Sequence, residues 1–542
     1  MMESSVIPSF NLTVDPWIPV VNRDGNKVLI SLTSVFTEGD QFVDLAVRPH
    51  ERVSLMRLFI CIAHAALNGP KDYDEWLDVP NKLPDAAKLY LEKWSDSFYL
   101  YHPSKPWLQV AELSKVKDET PIGYLNFALA SGNNPTIYDH GSSDQRVFEP
   151  AQIALNLLTF QCFSLGGGLP IAQWKSVKTK QVGNPDAPCS PQSMLHSFLR
   201  TTNISQSIHL NLPTFELIDR IYKSSVVTNQ EDSLNPIGNG RPVWEIFPDS
   251  PDSDSEAVQN ATTTYMGRLV PISRWILLKP NSSTMICSNG FKYETYRDGF
   301  APEPSATVHI VKKGDKDERE IVNADPMKAP WRQLAALLLR RKANGLGGPL
   351  AMNNISEGIA FDFHVCAMTR KQASMVIAVE SVFHISPQFQ NYIVHFQEGV
   401  SDAERFAKKL GWAVESYRSE LDGGWEGRLK GAGKDKGQLI QKVKSTALNF
   451  YWTTIEKNVS ILFNYVEFIG TDDAIVKQRA WGKLIFKAAC ESYAASCGQK
   501  TPRQIRAFAH GWKKLVSYSD RTAPKVKAIN KSKAVEEHAL AS

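Results

Sequence analysis

The pattern of hydrophobic and polar positions changes once along this chain. Before about residue 388, short apolar runs separated by turn residues predict a mixture of strands and helices. After it, long amphipathic segments follow one another, and glycines fall at or near the breaks. Four such segments with short connections predict an antiparallel four-helix bundle, over residues 388–422, 437–465, 473–497 and 501–519.

The pattern therefore predicts an α+β fold class, in which a large mixed N-terminal domain precedes the bundle. The expected divisions are a mixed α/β domain over 1–387, the four-helix bundle over 388–522 and a loose basic tail over 523–542.

Local signals predict individual elements within the first domain. Residues 11–20 form an extended segment that pairs with a strand at 28–30, and Pro16 and Pro19 are expected to keep it from the centre of a sheet. The remaining expected elements are helices over 48–68, 83–94, 191–200 and 331–344, and strands over 269–278 and 307–311.

One stretch, residues 131–189, combines unusual features. A long polar loop precedes an apolar segment, 149–163, that predicts a buried helix, and three glycines follow at Gly166, Gly167 and Gly168. Glycines let another molecule approach the backbone closely. The next charged residues are closely spaced lysines, with no acidic residue before Asp186: Lys175, Lys178 and Lys180. This combination suits a polyanion bound at short range.

The glycines and lysines allow two other interpretations. A flexible surface turn beside a solvated face is the plainer one. A nucleotide-binding P-loop requires glycine directly before Lys-Ser, whereas Trp174 precedes Lys175 here, so ATP binding is set aside.

Composition limits the class of protein. The 542 residues are 43% hydrophobic, and no leader or run of membrane-spanning length is present, so a globular, cytoplasmic protein is expected. The seven cysteines form no C-x-x-C pair, which indicates neither a zinc knuckle nor a disulfide framework, and no metal or cofactor is expected. Motifs for nucleophilic or metal-assisted catalysis are missing as well, which favours a binding protein over an enzyme.

Charge is distributed unevenly along the chain. The overall net charge is +4, but residues 401–542 hold 25 Lys and Arg against 15 Asp and Glu. This asymmetry indicates a nucleic-acid partner, although long helices that simply carry many lysines are the alternative. The residues expected to contact phosphates in this part are Arg428, Lys430, Lys434 and Lys436.

Taken together, these pieces resemble a known family, the CasA-type large subunit of the type I-E CRISPR Cascade surveillance complex. The resemblance covers nearly the whole chain in order: N-L-T-V-D-P-W-I-P-V at 11–20, S-G-N-N-P-T-I-Y at 131–138, L-G-G-G-L at 165–169, Q-A-S at 372–374 and the final helices. The N-terminal signature and the order of the pieces are specific, whereas each motif alone is weak.

The resemblance implies a non-catalytic protein in an RNA-guided complex. It implies recognition of a protospacer-adjacent motif in duplex DNA, initiation of strand separation and recruitment of a helicase-nuclease. The implied partners are the guide RNA complex with its backbone, small and RNA-end-binding subunits, the target duplex and the helicase-nuclease.

The resemblance also implies roles for particular residues. Gly166, Gly167 and Gly168 correspond to a loop that approaches the minor groove, and Gln372 to a wedge at a β-hairpin tip that displaces the first base pair. Asn133, Asn134 and Tyr138 lie in the loop that corresponds to contacts with the guide end and neighbouring subunits. Lys175, Lys178 and Lys180 are expected to contact phosphates.

Two positions depart from the family pattern. Lys371 stands beside the wedge glutamine where one member of the family carries an asparagine, and only Lys292 is available near the position of that member's motif-reading lysine. Because the minor groove shows few distinguishing groups, these changes are expected to alter the preferred motif. Outside the resemblance, a free-standing nucleic-acid scaffold and an enzyme with an unrecognised site remain as alternatives.

Overall fold

In a computed structural model, the chain divides into two compact units, Met1–His384 and Ile385–Ser542. The residues that the structure describes are 8–116, 119–129, 146–180, 186–225, 238–296, 303–314, 316–356, 358–371, 374–421 and 434–516. The mixed α/β character predicted from the sequence is confirmed.

Helices occur in both units. In chain order they are α1 Leu32–Thr37, α2 Pro49–Leu67, α3 Tyr73–Leu77, α4 Val79–Lys93, α5 Pro150–Phe163, α6 Ile204–Leu210, α7 Phe215–Ser225, α8 Glu256–Thr263, α9 Tyr265–Leu269, α10 Leu334–Leu337, α11 Pro387–Asn391, α12 Ile393–Leu421, α13 Lys434–Lys457, α14 Ser460–Glu467, α15 Ala474–Ser496 and α16 Pro502–Val516.

The strands of the described residues form several small sheets. They are β1 Ser9–Asn11, β2 Ile18–Asn22, β3 Lys27–Ile30, β4 Phe42–Leu45, β5 Tyr99–Tyr101, β6 Leu113–Lys115, β7 Thr120–Pro121, β8 Ala172–Trp174, β9 Val177–Lys178, β10 His196–Arg200, β11 Arg274–Leu278, β12 Thr284–Asn289, β13 Val308–Lys313, β14 Lys316–Ile321, β15 Phe361–Lys371 and β16 Ser374–Ile385. The orders are β1-β5, β3-β2-β4, β6-β8-β9, β11-β12-β7, β13-β14 and β10-β15-β16.

The N-terminal hairpin forms as predicted, but its position in the sheet differs. Strand β2 pairs with β3 in the register Ile18↔Ile30, which confirms the hairpin. It also pairs with β4, so the expectation that prolines exclude this segment from a sheet centre is wrong. Pro19 lacks an N–H, but its carbonyl accepts from the Ala46 N–H at 2.9 Å.

The predicted helix over 191–200 is also wrong. Residues Pro191–Ser193 form a short 3₁₀ turn, and the chain continues as β10. Strand β10 pairs antiparallel with β15, from His196↔Cys366 to Arg200↔Asp362. Partners that are distant in the sequence satisfy its backbone groups, a tertiary pairing that no local pattern shows.

The predicted helix over 331–344 is much shorter than expected. After the 3₁₀ turn Pro330–Gln333, α10 ends at Leu337. Arg341 lies beyond this helix, is buried and donates through Nε to the Gly348 carbonyl at 2.7 Å. The glycine-rich segment 345–348 thus turns the chain back on itself, and the arginine satisfies a carbonyl of that turn.

A buried ion pair crosses the core of the first unit. Arg57 on α2 pairs with Glu303 at 2.5 Å, and both side chains are almost completely buried. Arg57 also donates to the Leu269 carbonyl, and Arg268 donates to the second oxygen of Glu303 at 3.3 Å. Burial alone would raise the pKa of Glu303, but the charges of Arg57 and Arg268 hold it below its ordinary value.

After Ile385, which ends β16, the described residues of the second unit form helices and the turns between them. Helix α12 packs against α13, α15 and α16, and α13 also packs against α15. Among the buried residues at these contacts is Tyr451, whose hydroxyl donates to the Ala403 carbonyl at 2.8 Å. The predicted segment 437–465 is divided into α13 and α14. The four-helix bundle stays a prediction, and the 523–542 tail lies outside the described residues.

In the described part of the chain, no helix is both long enough and apolar enough to cross a membrane.

Removal of the Glu303 charge tests the buried ion pair. Glu303→Gln should lower the free energy of unfolding by about 3–5 kcal/mol near neutral pH, because Arg57 would be left buried without its counter-charge. Urea unfolding followed by tryptophan fluorescence measures this. Asp96→Asn, at a carboxylate that is 62% exposed beside Lys105, is the matched control and should stay close to the parent.

The lowered pKa of Glu303 predicts that the stability difference between the parent and Glu303→Gln depends on pH. Since the folded-state pKa of Glu303 is lowered, its stabilisation is complete above the ordinary value of 4.5 and is lost as the pH falls through the folded value. The difference between parent and Glu303→Gln should therefore shrink below pH 4.5. A difference that stays constant into the acid range would contradict this assignment.

Candidate nucleic-acid interface

The glycine loop, Gly166 to Gly168, begins directly after a buried helix. Helix α5 confirms the predicted helix, and it ends where the Ser164 N–H donates to the Phe160 carbonyl at 2.9 Å. Gly167 and Gly168 are exposed. The φ of Gly167 is 159°, a value that residues with side chains rarely adopt, and an added Cβ would meet no atom within 4 Å. The protein itself therefore leaves room for a larger residue at Gly167.

Side chains from distant parts of the chain hold both ends of this loop. At its start, Arg274 Nη2 donates to the Leu165 carbonyl at 2.7 Å, and the Gly166 N–H donates to Asp186 Oδ1 at 2.9 Å. At its end, Ser288 Oγ donates to the Pro170 carbonyl at 2.8 Å. The exposed glycines thus lie between two loop ends that these hydrogen bonds hold in place.

Asp186 also reaches the hairpin formed by β15 and β16. Its second carboxylate oxygen accepts from Arg370 Nη1, and Arg370 is the penultimate residue of β15. The backbone N–H of Arg370 donates to Ser193 Oγ at 3.0 Å. Residues 186–193 therefore connect the glycine loop to the far end of β15.

A basic turn, residues 175–180, follows the glycine loop. Lys175 has a φ of 53° in the turn between β8 and β9, and Lys175, Lys178 and Lys180 are all exposed. Trp174 anchors this turn, with its ring 5.2 Å from that of Trp275 and 6.3 Å from that of Phe291. The arrangement presents ammonium groups to solvent from a rigid aromatic base, which suits contact with phosphates.

Lys292 emerges beside the same aromatic cluster, since it follows Phe291. Its side chain is 65% exposed and forms an ion pair with Glu294 at 2.7 Å. The structure thus brings Lys292 and the basic turn to one aromatic cluster, and Lys292 has an acidic neighbour that a DNA phosphate or base would have to displace.

Comparison with known proteins identifies the family. The model of the family described as CRISPR-associated protein Cse1 matches residues 11–492. The chain belongs to the Cse1 family. The resemblance stated from the sequence is confirmed.

A curated relative, CRISPR-associated protein CasA/Cse1 from Thermus thermophilus, is 31% identical over 248 residues, or 45% of this chain and 43% of that protein. In that match the chain therefore spans less than half the length of the relative.

Solved Cse1 structures are similar along most of the chain. CasA from Thermus thermophilus has a TM-score of 0.71 at 19% identity, over 94% of this chain and 99% of that chain. Cse1 from Acidimicrobium ferrooxidans has a TM-score of 0.68 at 18% identity, over 94% and 98%. A chain of a CRISPR RNA-guided surveillance complex has a TM-score of 0.72 at 16% identity, over 94% and 100%. At these identities the similarity shows the fold.

The remaining candidate residues of this Cse1 family member divide into two groups. Lys371 ends β15, Lys434 begins α13, and Lys436 lies two residues further along that helix. The others lie outside the described residues: Asn133, Asn134, Tyr138, Gln372, Arg428 and Lys430. The two strands on either side of Gln372 are present, so a hairpin with this residue between its arms agrees with the prediction.

Sequence reasoning missed the residues that join the glycine loop to the hairpin. The sequence marks Asp186 only as the first acid after the lysines, and it indicates no role for Arg370. An acid that ends a long stretch without negative charge is only a weak indication of a structural role. The sequence does not identify its partner, which lies 184 residues away.

One cluster under the hairpin offers donor atoms of the kind that bind metals. Among the described residues, atoms of His364, Cys366 and Glu380 lie within 4.8 Å of one another. His364 Nε2 and Glu380 Oε1 are already hydrogen-bonded at 2.8 Å. Burial raises the pKa of the Cys366 thiol and lowers that of His364, and the nearby Arg52 cation opposes a second positive charge. We interpret this cluster as hydrogen-bonded packing.

Neutralising the basic turn tests its contact with phosphates. The triple change Lys175→Asn, Lys178→Gln and Lys180→Gln should flatten the dependence of log K on log salt by roughly 0.9 for each phosphate that the protein no longer neutralises. Asparagine is chosen at Lys175 because it tolerates a positive φ. DNA binding is measured by titration at several salt concentrations.

The matched control neutralises three other exposed lysines, Lys71, Lys82 and Lys105, which lie beside acidic residues. This control should keep the parent's salt slope. Equal slopes in all three proteins would contradict a phosphate-binding role for the basic turn.

Proposed function

We propose that this chain is the non-catalytic large subunit of an RNA-guided DNA surveillance complex. In this role it recognises a short motif in duplex DNA next to the target, begins strand separation and helps to recruit a helicase-nuclease. Pairing with the guide RNA then reads the rest of the target, so the protein needs to read only a short duplex segment.

The observation that carries the proposal is the link between the glycine loop and the hairpin within a member of the Cse1 family. A loop that contacts a duplex and a hairpin that opens it have to act on adjacent base pairs. Asp186 contacts the Gly166 backbone and the Arg370 side chain, so the two elements are held at a fixed separation.

The first unit also offers a surface for the DNA backbone beside this link. The basic turn and Lys292 extend from the Trp174 cluster, and the glycine loop lies a few residues before the turn. Phosphate contacts would fix the duplex in register, whereas the glycine loop and the hairpin would sense the motif. In the second unit, Arg428, Lys430, Lys434 and Lys436 are proposed to contact phosphates as well.

A free-standing nucleic-acid scaffold is the second candidate, favoured by the basic character of residues 401–542. Co-purification separates the two. A subunit of a guide complex should be isolated with a small RNA and several partner proteins, whereas a scaffold should be isolated with bulk nucleic acid. An enzyme with an unrecognised site should bring neither.

Gln372→Ala tests the proposed wedge. The assembled complex should lose strand opening by roughly tenfold, or about 1.4 kcal/mol, while initial duplex binding changes less, because the amide acts only when the first base pair is displaced. Opening is measured by fluorescence of a base analogue at that pair. Gln206→Ala, at an exposed glutamine in α6, is the control. Equal losses on intact duplex and pre-opened target would argue against a wedge.

Gly167→Ala tests close approach of the glycine loop to DNA. The variant should still fold, with a modest loss of stability from the strained φ of 159°, because the added Cβ meets no protein atom within 4 Å. Motif-dependent binding should weaken by roughly tenfold through a clash with DNA. Gly25→Ala, at another exposed glycine with a positive φ and open space around it, is the matched control. Unchanged folding together with unchanged motif-dependent binding would refute the close approach.

A further inference from the structure

Asp186 lies where two elements with different proposed tasks meet. One carboxylate oxygen accepts from the Gly166 N–H, and the other accepts from Arg370. Asp186 is 17% exposed and Arg370 31% exposed, so the pair is partly shielded from water. A carboxylate that uses both oxygens on a backbone amide and a guanidinium has a well-defined orientation.

The segment that carries Asp186 is fixed on both sides. Towards the glycine loop, the Ala187 N–H donates to the Ser164 carbonyl at 2.8 Å and the Cys189 N–H to the Cys162 carbonyl at 3.0 Å. Towards the hairpin, Ser193 Oγ accepts from the Arg370 N–H. A short, hydrogen-bonded segment therefore joins the two elements.

We infer that Asp186 is a positioning residue that couples the glycine loop to the hairpin through Arg370, so that motif binding at the loop is converted into strand opening at the hairpin tip. The inference rests on the proposed function. Asp186 touches no DNA in this role. It fixes the distance between the element that senses the duplex and the strand end, two residues before Gln372, that acts on it.

The variants separate the two contacts of Asp186, one with the Gly166 N–H and one with Arg370. Asp186→Asn keeps an oxygen for the Gly166 N–H but removes the charge that pairs with Arg370, whereas Asp186→Ala removes both interactions. Arg370→Gln removes the same ion pair from the other side, and Arg370→Lys retains the charge. The matched control is Arg200→Gln with Asp362→Asn, an ion pair of 27% and 30% exposure at the opposite end of β15.

The first measurement uses the full chain without DNA. Hydrogen exchange of the peptide that contains residues 164–170 should accelerate in Arg370→Gln by about 5- to 30-fold, although the change lies in a different element. Arg370→Lys should restore part of the protection, and the Arg200 control should leave this peptide unchanged. Unchanged exchange in Arg370→Gln would overturn the coupling whatever the protein binds.

The second measurement uses the assembled complex. A guide-matched duplex with a few randomised adjacent base pairs identifies the preferred motif, and the selected duplex is compared with the same target opened by mismatches. Asp186→Ala should lose about 5- to 30-fold in affinity for the intact duplex. Its affinity for the pre-opened target should stay within about twofold of the parent's. The variant impairs only the step from motif binding to strand opening, and this target is already open.

A double-mutant cycle closes the test. If Asp186 and Arg370 act together, the double variant should be no worse on intact duplex than the poorer single variant. Additive losses, or equal losses on intact and pre-opened targets, would overturn the inference. A parent complex with no motif preference would instead refute the proposed function and, with it, the DNA role of Asp186, whereas the exchange measurement would still report whether the two elements are linked.

Discussion

The ion pair between Arg57 and Glu303 sets the relative positions of the elements on which the rest of the first unit depends. A guanidinium and a carboxylate, both nearly inaccessible to water, tie α2 to the segment that leads into β13. Two residues after Glu303, Ser305 accepts the Ser197 N–H at 2.8 Å through its carbonyl and contacts His196 through its hydroxyl at 2.9 Å. Strand β10 is thereby aligned with the core, and β10 in turn aligns β15, the strand that leads to the hairpin tip.

Removing two charged groups from water costs free energy. A buried ion pair of this kind therefore contributes to the orientation of α2 as much as to the stability of the fold. Hydrophobic side chains in the same place would attract one another without a preferred orientation, whereas Arg57 directs its donors to Glu303 and to two carbonyls of the α9 region. The orientation of α2 against the β10-β15-β16 sheet is consequently specified by hydrogen-bond geometry.

The glycine loop, at the surface, is also positioned by hydrogen bonds from side chains elsewhere in the chain. Its exposed residues carry no side chains that could hold them, so its position comes from Arg274, Asp186 and Ser288, which bind its two ends. The loop is free of side chains where it faces solvent and fixed where it meets the protein. This division suits a surface that must approach another molecule closely and still keep a constant position.

The sequence by itself was sufficient for features that depend on neighbours along the chain. The period of apolar residues predicted α2 and α5, and the long amphipathic segments predicted the helical second unit. The order of short motifs indicated the family, and that resemblance implied the hairpin around residue 372. The glycine loop and its lysines were also found this way. Each rests on residues close together in sequence, where hydrophobic periodicity and backbone preferences act directly.

Only the tertiary structure decided where distant groups meet. Residues 191–200 became a turn and a strand because β15 supplies their hydrogen-bond partners, and β2 became a central strand despite Pro19 because β4 completes the sheet. The contacts of Asp186 with Gly166 and Arg370 likewise have no local signature. Such pairings gain their free energy from burial and from satisfied polar groups across the fold, and a sequence read in short windows contains neither partner's position.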